Sequence, residues 1–126
     1  MGNGQSEKTL IILKVLNSKT IDLSPFNIHL MTLEQYKQSL SSASPPPEVS
    51  DYLKALWFDA NGEWEKSHNI IQDIDDKKAA WIHAYLHRKE GDIWNADYWY
   101  KRAGKKRPEV SLEEEWLEIV KTLIAV

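Results

Sequence analysis

Two histidines one helical turn apart are the residues of this sequence best suited to chemistry. His83 and His87 lie in a segment that reads AAWIHAYLHRKEG, and Glu90 follows three positions after the second histidine. In a helix these three side chains share one face, within an arc of about 60°. Two imidazoles at this spacing can bind Zn²⁺, and Glu90, or His68 from the preceding segment, could supply a third ligand. Alanine occupies position 84, where the metalloprotease motif has its glutamate base, so hydrolysis by that route is not expected.

A structural role for the same histidines is the alternative. The segment around them is apolar almost all round, which is typical of a central, buried helix. His83 and His87 would then hydrogen-bond across the helix packing, and Glu90 would pair with Arg88 or a neighbouring cation. A third interpretation makes the two histidines part of a polar patch that contacts a protein partner.

Trp94 and Tyr98 form a second candidate site, in a predicted helix from Asp92 to Ala103. They lie one turn apart, on the side opposite the predicted inner stripe of Ile93, Ala96, Trp99, Tyr100 and Ala103. An exposed aromatic pair beside Lys101 would suit a binding hot spot for a protein or peptide, including a second copy of the chain. The alternative is that the pair packs against the N-terminal third of the chain.

Composition limits the classes of function that are open to this chain. Its 126 residues predict one compact domain, and the absence of cysteine excludes disulfides, thiolate metal sites and cysteine nucleophiles. No apolar run approaches the roughly 20 residues of a membrane span, so no membrane association is expected. The formal charge of −3 argues against general binding of nucleic acid, and the basic cluster from Lys101 to Arg107 is interpreted as a solvated helix end. We expect a cytoplasmic protein.

Turn and capping residues predict a series of helices after an N-terminal extension. Residues 1–47 form the extension: an apolar segment that fits a short strand or a short helix, a helix capped by Thr32, and a proline-rich linker. Residues 48–126 form a helical domain, in which Pro47 opens the first helix and Asn61-Gly62 ends it. Further helices are predicted over 63–72, 77–90 and 92–103, and a last amphipathic helix follows the capping residue Ser111.

A weak internal repeat links the two predicted helix pairs. Shifting the chain by 29 positions places Gly62 on Gly91, Ala55 on Ala84 and Ser67 on Ala96. Glycine permits a tight reversal, and the small residues let two helix axes approach closely. The histidine face is not repeated, because lysine, phenylalanine and asparagine occupy the corresponding positions of the first copy.

These residues resemble the tetratricopeptide repeat. Gly91, Ala96, Tyr100, Ala103 and Pro108 have the spacing of the second half of such a repeat, although the 29-residue period is shorter than the usual 34. The block WIHAYLHRKEGDIWNADYWYKRAG is also similar to a group of small bacterial proteins without an assigned activity. The resemblance implies an all-α fold of antiparallel helical hairpins, with the last helix as a C-terminal cap, and often peptide binding.

Two hypotheses of function follow from the sequence. The first is a tetratricopeptide-like protein-interaction module without catalytic activity and without a cofactor, in which Trp94, Tyr98, Lys101, His83 and His87 contact the partner. The alternative is a metal-binding protein or small-molecule enzyme, in which a zinc ion is bound by His83, His87, Glu90 and His68.

Overall fold

The computed structural model describes residues 31–124, which contain six α-helices and no β-strand. The predicted all-α fold is therefore confirmed for this part of the chain. The helices are α1 Leu33–Ser39, α2 Asp51–Ala60, α3 Trp64–Ile71, α4 Lys77–Lys89, α5 Ile93–Arg102 and α6 Leu112–Ile124. The predicted strand or helix before Thr32 lies outside the described residues. No helix within them is long and apolar enough to cross a membrane.

The chain divides into two compact units, Met1–Ser44 and Pro45–Val126. In the first unit, α1 begins with the predicted capping box. The Thr32 side chain accepts a hydrogen bond from the backbone N–H of Gln35, and the Gln35 side chain accepts one from the N–H of Thr32. This reciprocal pair satisfies two N–H groups that the helix itself leaves without a partner.

Side-chain caps define where the helices of the second unit begin. Asp76 caps α4 by accepting a hydrogen bond from the N–H of Ala79 at 2.8 Å, and Ser111 and Glu114 form the second predicted capping box before α6. The predicted start of α2 at Pro47 is wrong. Ser50 caps that helix instead, because its hydroxyl can accept from the N–H of Leu53.

Two glycine turns give the second unit its repeated architecture. Gly62 and Gly91 adopt φ angles of +80° and +89°, the left-handed region that glycine enters without a steric penalty. Helix α2 packs against α3 across the first turn, and α4 packs against α5 across the second. The ends of the helices follow the predicted period: α2 and α4 end 29 positions apart, and so do the starts of α3 and α5.

Helix α4 is the centre of the second unit. It packs against α2, α3, α5 and α6, and every residue from Ala79 to His87 is buried. Helix α6 covers α2 and α4, and the indole N–H of Trp116 donates to the backbone carbonyl of Leu56 at 3.1 Å. A helix buried on all sides must satisfy any polar side chain that it carries, because burying one unpaired is costly.

Two buried carboxylates pair with polar side chains of α4. One comes from α2 and the other from α6. Asp59 on α2 accepts hydrogen bonds from the Tyr85 hydroxyl at 3.1 Å and from Nζ of Lys89 at 3.0 Å. Glu115 on α6 is fully buried and binds Arg88 at 2.8 Å. The Trp81 indole and the Tyr100 hydroxyl also donate to Glu115.

Candidate metal centre

Three histidines meet where the first helix pair contacts the second. His68 lies on α3, whereas His83 and His87 lie on α4. Nε2 of His68 is 3.0 Å from Nε2 of His83, and one ring nitrogen of each of the three residues lies within 4.8 Å of the others. His83 and His87 are only 6% and 7% exposed. The predicted helix face is therefore buried, and it faces a third imidazole from the neighbouring helix.

Glu90 orients one of these rings. Its Oε2 lies 2.7 Å from Nδ1 of His87, three positions earlier in the chain. An ionised carboxylate can only accept in this contact, so Nδ1 is the donor, and Nε2 is the ring nitrogen left to bind a metal. A carboxylate on the second nitrogen is the usual outer partner of a metal-bound histidine, because it fixes the tautomer and raises the basicity of the ligand.

Two tryptophans enclose the histidines. The Trp64 ring stacks on His68, with centroids 4.9 Å apart and planes 10° apart, and Trp99 stacks on His83 at 3.9 Å and 17°. Trp64 is itself fixed by its indole N–H, which donates to the backbone carbonyl of Leu86 at 2.8 Å. Stacking against rigid indoles restricts the rotation of the imidazoles, which lowers the entropic cost of holding them in one arrangement.

Burial favours the neutral form of two of the three histidines, His68 and His83. Burial lowers the pKa of His83 to about 3, and the nearby His68 and His87 rings contribute to this shift. Burial also lowers the pKa of His68. The negative charges of Glu90 and Glu65 act in the opposite direction and raise it, but burial is the largest effect. A metal ion binds only the deprotonated imidazole, so near neutral pH these two rings are in the form that a metal requires.

The arrangement has the dimensions of a three-histidine metal site. Imidazole nitrogens bind Zn²⁺ at about 2.0–2.1 Å in tetrahedral geometry, which separates any two ligand nitrogens by about 3.3 Å. The 3.0 Å between His68 and His83 is close to this distance. The three nitrogens together lie within 4.8 Å of one another, so His87 would have to move closer to complete a tetrahedral set. The three histidines could therefore supply three of the four ligands of a tetrahedral zinc ion.

A second group of possible ligands fits a metal less well. His87, Glu90 and Asp92 also have ligand atoms within 4.8 Å of one another. Asp92, however, caps α5 by accepting from the N–H of Asn95, and Glu90 is engaged with Nδ1 of His87. Glu90 is thus a partner of a ligand rather than the third ligand that the sequence suggested as one option.

The structure separates the remaining predicted site residues from the histidines. Trp94 is 80% exposed and Tyr98 48% exposed, and Lys101 is also on the surface. Of the two partners predicted for Glu90, Arg88 is wrong, because Arg88 binds the buried Glu115; Glu90 contacts its neighbour His87 instead. His83 and His87 are too deeply buried to share a contact surface with Trp94 and Tyr98.

Sequence reasoning missed two features of the site. It assigned Trp99 to the inner stripe of α5 without connecting it to His83, and it gave Trp64 no role. It also placed Ile93 in that stripe, where the prediction is wrong, because Ile93 is exposed. No local pattern connects Trp99 with His83, because their contact depends on how α5 packs against α4.

Comparisons with known proteins do not indicate a function for this chain. No protein-family model, no curated protein and no solved structure matches the chain.

Proposed function

We propose that this helical protein binds one divalent transition-metal ion, of which Zn²⁺ is the expected one, through His68, His83 and His87. The single observation that carries the proposal is the convergence of three imidazole nitrogens within 4.8 Å, from two different helices. Histidine nitrogens suit Zn²⁺, and the tetrahedral preference of this ion agrees with three protein ligands and one open position.

Two further observations support a metal over a purely structural histidine cluster. The carboxylate of Glu90 lies at hydrogen-bonding distance from the nitrogen of His87 that a metal would not use. Burial keeps His83 uncharged at neutral pH, so a metal would not have to displace a proton from an imidazolium there. A purely structural cluster does not require a carboxylate on the outer nitrogen of one of its rings.

The bound ion would supply Lewis-acid chemistry at its open position, or it would stabilise the junction of the two helix pairs. His68 belongs to the first pair and the other two ligands to the second, so one ion would link both pairs. Binding free energy of this kind adds directly to folding stability, by about 2.7 kcal/mol when free metal is at 100 times its dissociation constant.

Calorimetric titration of tag-free, metal-free protein with Zn²⁺ tests the proposal. We expect one site per chain, and loss of a ligand in His68→Ala should weaken binding more than the about 10- to 100-fold that loss of an outer partner costs. His29→Ala, which alters the fourth histidine of the chain, is the matched control and should bind like the original protein. Equal affinity in His68→Ala and His29→Ala, with both folded by circular dichroism, contradicts the proposal.

A protein-interaction function is a second candidate, and it rests on different residues. The exposure of Trp94 and Tyr98 favours it, whereas the burial of His83 and His87 removes these two from the proposed contact residues. Both functions can belong to one domain, because the histidines lie in the interior on α3 and α4, whereas Trp94 and Tyr98 are exposed on α5.

A further inference from the structure

The exposed apolar side chains of the described residues are concentrated on one helix. Of the four large ones, Ile93, Trp94 and Tyr98 lie on α5, and only Val110 lies elsewhere. Trp94, Tyr98 and Lys101 follow one another at spacings of four and three positions, so they share one face of α5. We call these three residues the outer face of α5. Single exposed apolar residues are common, but an adjacent tryptophan and tyrosine are the side chains most enriched at binding hot spots.

Cations outnumber carboxylates around this face: Lys101, Arg102 and Arg107 lie near it, and Asp75 contacts Arg102 at 3.5 Å. The guanidinium of Arg102 lies 5.8 Å from the centre of the Tyr98 ring, and Lys101 is exposed beside it. The nearest carboxylate of the helix, Asp97, is engaged with Arg107, whose Nε lies 2.8 Å from its Oδ1. The outer face therefore presents two aromatic rings next to cations, in a chain whose formal charge is −3.

We infer that the outer face of α5 binds an acidic segment of another protein, in which apolar or aromatic residues alternate with aspartate or glutamate. Charge complementarity selects this partner: acidic side chains would meet Lys101 and Arg102, and an apolar side chain would cover the two rings. The inference rests on the second candidate function and names its partner, and it is independent of the metal site, because none of the three histidines belongs to this face.

Charge also argues against the other occupants. A symmetric dimer through this face would bring together two surfaces that each carry an excess of cations, and this repulsion opposes association. A nucleic acid would meet cations and stacking rings, but neutralising many phosphates needs a longer basic track than two cations on a net acidic chain.

Selection from a library of random displayed peptides tests the inference, with the full chain as bait. We expect selected peptides to combine aspartate or glutamate with an aromatic or large aliphatic residue. A synthetic peptide made from the selected sequence should bind in fluorescence anisotropy, and Trp94→Ala with Tyr98→Ala should weaken it at least tenfold. Val110→Ala, which removes the exposed apolar side chain outside α5, is the control and should bind normally.

Charge reversal tests the acidic character of the partner separately. Lys101→Glu should weaken the same peptide at least tenfold, whereas Lys121→Glu on the exposed side of α6 should not. Failure to enrich any peptide, enrichment of basic or uncharged peptides, or tighter binding of a single-stranded oligonucleotide than of the acidic peptide would overturn the inference. A dimer in sedimentation analysis that Trp94→Ala dissociates would also overturn it.

Discussion

Nε2 of His68 lies 3.0 Å from Nε2 of His83, and this contact joins the two helix pairs of the second unit. Without a metal, one of the two nitrogens must donate a proton and the other must accept it, because two lone pairs at this distance repel each other. A metal ion would replace that proton and add His87 as a third ligand. The same short contact can thus exist in a metal-free and a metal-bound form.

Removing the outer carboxylate should weaken metal binding without unfolding the protein. In Glu90→Gln the side chain keeps its shape and can still accept from Nδ1 of His87, but it loses the charge that raises the basicity of the ring. We expect the affinity for Zn²⁺ to fall about 10- to 100-fold, as for other outer partners. Competition titration with a chromogenic chelator measures this change. Glu118→Gln, at an exposed carboxylate on α6, should have no effect, and equal affinities in both variants would contradict the role of Glu90.

Stability of the metal-free protein should fall on mild acidification. The pKa of His83 is lowered to about 3 and that of His68 is also lowered, whereas an imidazole of the unfolded chain titrates near about 6.5. Between these values the unfolded state binds more protons, so stability is present above the unfolded pKa and is lost as the pH falls. From about pH 7 to about pH 5 a group shifted like His83 would lose about 2 kcal/mol.

Urea unfolding at the two pH values, in the presence of a chelator, measures this loss. His83→Gln removes the most strongly shifted group, so its stability should change less between the two conditions than that of the original protein. An identical change in the variant, or greater stability at the lower pH, would contradict the electrostatic account of the cluster.

Glu115 should be essential for folding although it is remote from the proposed metal ligands. It is fully buried and accepts hydrogen bonds from Trp81, Arg88 and Tyr100. Truncation in Glu115→Ala leaves the Arg88 charge without its buried partner, which typically costs about 3–5 kcal/mol. Chemical denaturation should show this loss, whereas Glu118→Ala, one turn later on the exposed side of α6, should change the free energy of unfolding by less than about 0.5 kcal/mol. Similar values for the two variants would show that the buried network is dispensable.

Local signals in the sequence predict most of the helix boundaries. Two glycines act through their backbone conformation, and two capping side chains act through a hydrogen bond three positions away. Their effect can therefore be predicted from the local sequence; they are Gly62, Gly91, Asp76 and Ser111. The start of α2 is the exception. Pro47 and Ser50 are both acceptable helix starts, and the sequence alone does not rank them. The choice became visible only in the hydrogen bond that Ser50 accepts.

Contacts between distant segments limited the prediction of the candidate site. The spacing of His83 and His87 indicated a shared face, but whether His68 would join them depended on how α3 packs on α4. The same limit applies to Glu115, because a glutamate in the first turn of a helix is usually exposed. Its burial depends on partners 15 to 34 positions away, which no local pattern encodes.

The measurement that tests the central proposal most directly is X-ray absorption at the zinc edge, together with elemental analysis of tag-free protein. The account predicts about one zinc ion per chain and about three imidazole nitrogens at about 2.0–2.1 Å, with one further light ligand. In His68→Ala the imidazole count should fall to about two, whereas His29→Ala should leave it at three. Fewer than about 0.1 zinc ions per chain after incubation with Zn²⁺ and desalting, or a shell of oxygens without imidazole, would contradict a three-histidine metal site.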